Sequence, residues 1–323
     1  GEYTIDSTNG GTSQTLNGDL TIVTNETLRI SSGETLTIAS GKTLRINGTG
    51  EYAKIIIENG GEIIVNGELI VVGPRASRRF GKLNVATGGI LTIASTGTLT
   101  ISAEVNNSGV IVKTGTITIN NSVASNANGT LTNAGLVLDK SSNDLTFNSY
   151  GGTSQTLNNA FTISSGETLT IGSGHTLTNN GIIVKIGTLT NNGTLTNPGL
   201  VLDKSGDALT FNSNGGTSQT LNNAFIIASG ETLTIGSSQT LTIASTKTLT
   251  NNGTIDNDGI ITNNGILTTG GTLDNEGTLT NEGTLNNNGG LIINDGGTID
   301  VDGSSDDKTY SSVNGGLLNK TGN

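Results

Sequence analysis

From Leu249 to Leu291 an apolar residue recurs at every sixth position: Leu249, Ile255, Ile261, Leu267, Leu273, Leu279, Leu285 and Leu291. A glycine stands two residues before most of them, from Gly253 to Gly289. The filler is Thr, Asn, Asp and Glu, as in Gly277-Thr278-Leu279-Thr280-Asn281-Glu282. A period of six fits neither the 3.6-residue turn of a helix nor the plain alternation of a hairpin sandwich. It fits a coil of short strands and tight corners, with one inward apolar residue per face.

Nearer the start of the chain the period is eight. Leu20, Leu28, Leu36 and Leu44 are each followed two residues later by Ile22, Ile30, Ile38 and Ile46. In Glu34-Thr35-Leu36-Thr37-Ile38 the alternation places Leu36 and Ile38 inward and the threonines outward. Ser-Gly and Asn-Gly pairs supply the positive φ that corners need. The register returns at Leu83, Leu91 and Leu99, and steps of six follow at Val105, Ile111, Ile117 and Val123.

A longer repeat lies over these periods. Gly135-Leu136-Val137-Leu138-Asp139-Lys140-Ser141 returns 64 residues later as Gly199 to Ser205, and Gly151 to Asn158 returns as Gly215 to Asn222. An earlier copy of the second motif begins at Gly10. The inward slots from 145 (153, 161, 169, 177, 183, 189, 195 and 201) give nine faces before the pattern restarts at 209. Nine divides into three-sided turns and not into two-sided ones. The expected fold is therefore all-β, a single parallel β-solenoid, three-sided, with mixed eight- and six-residue faces. Stacked at the strand spacing of about 4.8 Å, about 15 turns give a rod on the order of 70 Å long.

Three parts follow: an N-terminal strand and assembly segment (1–9), the solenoid (10–303) and a C-terminal cap or docking tail (304–323). Residues 51–73 carry apolar groups on both faces, so a cover is expected over them. The period breaks at 73–82, read as a loop excursion that supplies the cover. It holds Arg75, Arg78, Arg79 and Lys82.

Apolar residues make up 32% of the 323, and a composition this rich in Gly and Asn suits disorder unless the apolar residues keep register, which they do. The net charge of −11 argues against nucleic acid or an anionic membrane as partner. No apolar run approaches the 18 residues that span a bilayer, so no membrane insertion is expected. Starting at Gly1 rather than Met suggests a mature secreted chain, extracellular or at the cell surface.

Runs such as Ser32-Gly33-Glu34-Thr35-Leu36-Thr37-Ile38 and Asn191-Asn192-Gly193-Thr194-Leu195-Thr196-Asn197 resemble the Thr/Asn/Gly-rich parallel β-solenoids of archaeal and bacterial surface proteins. The resemblance covers residues 10–302. It implies architecture and a surface or filament setting, and no activity.

Catalytic chemistry has little to work with, and no enzyme activity is expected. His175 is the only histidine, read as a solvated corner residue, and there is no cysteine. The carboxylates of Asp139-Lys140 and Asp203-Lys204 could serve a polysaccharide-cleaving β-helix, but as repeat copies they read as surface ion pairs. Asp300, Asp302 and Asp306 surround a Gly turn as hard Ca²⁺ ligands do, which makes calcium the one candidate cofactor. Asn25, Asn47, Asn106, Asn120, Asn128, Asn192, Asn252 and Asn319 each begin Asn-x-Ser/Thr, so glycans are candidate modifications. Rows of outward Thr invite an ice-binding reading, but Arg29, Arg45, Asp256 and Asp274 interrupt them.

Solenoids end in open strand edges that template further pairing unless capped, and no capping helix is legible at either end. Residues 251–307 hold ten acidic and no basic residues, while the basic loop lies toward the other end. Arg75, Arg78, Arg79 and Lys82 facing Asp300 and Asp302 are therefore candidate subunit contacts. The expected function is a secreted structural subunit that polymerises with itself head to tail into an extracellular filament or sheath, by terminal strand complementation. The alternative is the repetitive stalk of an adhesin.

Overall fold

The computed structural model describes residues 1–6, 12–48, 53–73, 81–120, 129–295, 298–300, 309–313 and 317–321. They form an all-β parallel solenoid of about 12 turns. That is fewer than about 15, because two hairpins and the segments between coils take residues out of the winding. The contacts divide the chain into two compact units, the first comprising residues 1–159, 167–177 and 190–194, the second the remainder.

In the first unit, up to Val110–Lys113, each strand pairs in parallel with the strand three places further on, which makes the coil three-sided. Glu2–Ile5, Thr27–Ile30, Lys54–Ile57 and Lys82–Val85 lie side by side in one sheet. Thr35–Ile38, Glu62–Val65 and Ile90–Ile93 form the second face, and Thr43–Asn47, Glu68–Val72 and Thr98–Ile101 the third. Inside, Leu28 and Ile30, Leu36 and Ile38, and Leu44 and Ile46 stack in columns of buried side chains. Corners are tight enough to exclude a side chain: a Cβ on Gly67 would sit 2.2 Å from the Lys42 carbonyl oxygen.

The outward Ile56, Ile64 and Ile70 are half-buried. The segment expected to cover them, 74–80, lies outside the described residues. The Gly81 amide donates to the Val72 carbonyl at 3.2 Å, so the coil resumes where it was left. Lys82 is the first residue of the next strand rather than the end of the loop.

The parallel winding breaks at two hairpins that the inward-slot pattern does not reveal. In the first unit Leu136–Ser141 pairs in parallel with Val110–Lys113, then antiparallel with Asp144–Phe147. Antiparallel partners share a face, so Leu145 (opposite Lys140) and Phe147 (opposite Leu138) lie on the side away from Val137. Val137 belongs to the core built before it. Leu136, Val137 and Leu138 are all buried because both sides of this strand are covered. After the hairpin the inward side of the chain has thus moved to the opposite face of the shared sheet. Thr153, expected inward, is exposed, and Gln155 and Leu157 are buried instead.

The second unit repeats the device. Leu200–Ser205 pairs in parallel with Ile182–Lys185 and antiparallel with Ala208–Phe211. Leu200, Leu202, Leu209 and Phe211 join the core that runs on to Ile292. From Thr232–Ile235 onward the strands again stack three apart, through Thr254–Asn257, Thr272–Asn275, Leu291–Asp295 and Leu317–Thr321.

Two details of the six-residue run differ from expectation. Its last inward slot is Ile292, which pairs with Leu273, while Leu291 is only half-buried; Gly289-Gly290 adds one residue to the corner. Nor does each short face bury a single residue. Asn257, Asn263, Asn275 and Asn281 point inward at 0% exposure, in the place that Ile38 or Ile46 fills in the longer faces. The Asn257 amide donates to Asn275 Oδ1 at 2.6 Å, and the Asn275 amide to Asn294 Oδ1 at 2.7 Å. Each of these amides donates to the next turn, while Asn251 and Asn257 Oδ1 are buried without a hydrogen-bond partner.

Candidate assembly interface

The strand Glu2–Ile5 is the first of its sheet, and among the described residues no strand lies on its other edge. The Thr27 and Ser31 amides donate to the Gly1 and Ile5 carbonyls, at 3.0 and 3.1 Å. Main-chain groups alternate sides along a strand, so those of Glu2 and Thr4 point to the open edge. Ile5 is buried, but Tyr3 is 52% exposed, and Leu20 (38%) and Val23 (44%) add apolar surface in the same end of the unit.

Glu26 is fixed beside this edge. Its Oε2 accepts the Val23 amide at 2.8 Å and its Oε1 accepts the Tyr3 hydroxyl at 3.0 Å. The Val23 amide, then the Tyr3 hydroxyl, hold the carboxyl below its ordinary range, and the same contact raises the Tyr3 phenol. Arg29 ties the outer side of the strand down by pairing with Glu2 and, at 2.9 Å, with Glu58.

Among the described residues Thr298–Asp300, Thr309–Val313 and Leu317–Thr321 are the last strands of their sheets. The helical content of the described residues is two three-residue turns, Ser149–Gly151 and Ser213–Gly215.

Of the expected subunit contacts, Arg75, Arg78, Arg79 and Asp302 lie outside the described residues, and Asp300 is placed only by its backbone in Thr298–Asp300. Lys82 Nζ lies 2.9 Å from Glu104 Oε2 of its own chain. The calcium candidates Asp302 and Asp306 also fall outside the described residues. Among the described residues no three His, Cys, Asp or Glu side chains gather as a metal site would require.

The sequons divide by environment. Asn25, Asn192 and Asn252 are exposed at corners. The Asn106 amide donates to Glu104 Oε1 at 2.7 Å, the Asn120 amide donates to Ser102 Oγ at 3.2 Å, and Asn47 is half-buried. Asn128 lies outside the described residues, as does the side chain of Asn319.

His175 is not a solvated corner residue: it is half-buried, its ring edge-on to Phe147 with centroids 5.4 Å apart. The Asp-Lys dipeptides do form ion pairs, but not within themselves. Asp139 pairs with Lys113 at 3.0 Å while Lys140 pairs with Glu167; Asp203 pairs with Lys185 at 2.7 Å while Lys204 pairs with Glu231. Asn148 and Asn212 each donate to the second oxygen of the aspartate at 2.9 Å. These carboxylates brace the hairpins.

The groups that matter most here, Tyr3, Glu26, Gln155 and Gln219, were not singled out by sequence reasoning. The available signal was the run of three apolar residues in Leu136-Val137-Leu138, which a strand with one wet face would not carry.

The fold defines a Thr-rich parallel β-solenoid. Compared with models of known protein families the chain matches none, and no curated protein matches it either.

Proposed function

We propose that the protein is a structural subunit that polymerises head to tail into a filament or sheath, extracellular or at the cell surface, without catalytic activity of its own. The observation that supports this reading is the parallel ladder itself: Thr254–Asn257, Thr272–Asn275 and Leu291–Asp295 pair edge to edge, turn upon turn, a pattern that further copies can extend. Unpaired strand edges template further strands. The use of Asp139 and Asp203 in hairpin ion pairs favours this reading over a polysaccharide-cleaving enzyme.

Negative-stain microscopy of the purified chain, from low to high concentration and with and without Ca²⁺, tests it. Filaments that lengthen with concentration are expected. Monodisperse particles under every condition would rule the reading out.

A further inference from the structure

Lys113, Asp139 and Asn148 meet beside the first hairpin. Lys113 lies directly across the strands from Asp139, and its Nζ donates to Asp139 Oδ1 at 3.0 Å. Asn148 Nδ2 donates to Oδ2 of the same carboxylate at 2.9 Å. One carboxylate thus bridges an amine and a carboxamide. The carboxamide is held from its other side as well, because the Tyr150 main-chain amide donates to Asn148 Oδ1 at 2.8 Å.

The second hairpin repeats the arrangement atom for atom. Lys185 Nζ lies 2.7 Å from Asp203 Oδ1, Asn212 Nδ2 donates to Asp203 Oδ2 at 2.9 Å, and the Asn214 amide donates to Asn212 Oδ1 at 2.8 Å. The sequence spacing differs between the two copies. Asp139 follows Lys113 by 26 residues, whereas Asp203 follows Lys185 by 18. The winding in between has changed length while the three side chains have kept their places. Asn148 and Asn212 are each 5% exposed, and the two lysine side chains are three-quarters buried.

These are the parts of an acyl transfer. The lysine is the nucleophile, the carboxamide carbon is the electrophile, and the carboxylate touches both the attacking and the leaving nitrogen. The amide on Asn Oδ1 sits where negative charge develops when the carbonyl carbon is attacked. A third contact of this kind lacks those features. Lys82 and Asn106 both donate to Glu104 Oε1, at 3.0 and 2.7 Å, and among the described residues no amide donates to Asn106 Oδ1.

We propose that the folded chain closes each hairpin with a side-chain amide bond, Lys113 to Asn148 and Lys185 to Asn212, using Asp139 and Asp203 to carry protons. The ammonium passes a proton to the carboxylate, and the freed amine attacks Asn Cγ. The Nζ–Cγ bond forms, the Cγ–Nδ2 bond breaks, and the carbonyl is restored. Of the three protons on Nζ, one stays on the new amide. The other two reach the departing nitrogen through the carboxylate, so ammonium leaves and the aspartate is unchanged. No oxidant or cofactor is consumed. Each site reacts once and turns over no substrate. The product ties Val110–Lys113 to the residue that follows Asp144–Phe147, so the hairpin cannot peel from the coil beneath it.

The intact mass of the denatured full chain tests this. The parent should be lighter than its sequence by two molecules of ammonia. Its digest should contain two branched peptides, one joining Lys113 to Asn148 and one joining Lys185 to Asn212. Asn148→Ala should recover one ammonia, and Asn148→Ala with Asn212→Ala should recover both. Asp139→Asn keeps the size of the side chain but cannot carry the proton. It should lose the first bond alone, with the second bond and the circular dichroism of the parent retained. A parent at full sequence mass would overturn the proposal. So would a loss of water in place of ammonia, which would put the bond on the aspartate, and a first bond that survives Asp139→Asn would overturn the carboxylate's part in it.

Discussion

Gln219 Oε1 accepts the Val201 amide at 2.7 Å, and 64 residues earlier Gln155 accepts that of Val137 at the same distance. The hairpin creates the need. Ala208–Phe211 covers only Leu202 to Ser205, so the start of the preceding strand loses its neighbour on that side. The glutamine fills the gap and is held by donating to the Gly216 carbonyl at 2.9 Å.

Replacing Gln219 by Leu keeps the volume and leaves the Val201 amide buried without an acceptor. A loss of about 1–3 kcal/mol is expected. In a stacked repeat the damage stays near its source, so native-state hydrogen exchange should show Val201 and its neighbours losing protection first. Unchanged exchange at Val201 would contradict the role.

These glutamines show where the chain was legible and where it was not. Leu36 and Ile38 announce a β-face by alternation, and the nine inward slots between the 64-residue copies announce three-sided winding. Those signals depend on apolar side chains, which have to face inward. The hairpins are invisible to the same test because Leu145 continues the eight-residue spacing from Val137 although it lies on the other face. A period records that a residue is buried, not which side of a sheet it is buried on. The asparagines look like filler in the sequence for a related reason. Asn257 is polar, and only its stacking on Asn275 makes its burial tolerable.

The asparagine ladders suggest a repair. Thr269 stands between Asn251 and Asn287 in the column where neighbouring faces carry Asn throughout, and its buried hydroxyl has no hydrogen-bond partner. Thr269→Asn supplies the missing rung, with the geometry that Asn263 uses toward Asn281 at 2.6 Å. A gain of about 1 kcal/mol is expected, read as a higher urea midpoint with unchanged slope. A lower midpoint would show that the corner cannot hold the larger amide.

Glycines at corners serve two separable purposes. A Cβ on Gly277 would sit 2.1 Å from the Gly259 carbonyl oxygen, against main chain that cannot retreat. Gly230 has open space around it but a φ of +89°. Gly277→Ala should therefore cost about 3 kcal/mol through overpacking. Gly230→Ala should cost about 1 kcal/mol through backbone strain alone. Thermal unfolding of the two variants checks the order, and the reverse order would mean that the stacked corners yield more readily than their contacts imply.

Asp256 gives the chain a pH dependence of unusual sign. It lies directly across the strands from Asp274, and burial first, then Asp258 and Asp274, push its carboxyl above the ordinary range. A raised carboxyl binds its proton more tightly in the folded state, so its contribution to stability is greatest in acid. That contribution falls as pH rises from the unfolded value through the raised folded one. Asp256→Thr, which copies Thr234 in the preceding turn of the same column, should stabilise at pH 7 by on the order of 0.2–1 kcal/mol, as removal of facing like charges does. The advantage should shrink toward pH 3, where the parent's carboxyl is protonated in both states. Urea midpoints of parent and variant at the two pH values decide the matter: an advantage that persists undiminished at pH 3 would trace to the β-propensity of threonine and not to relief of charge.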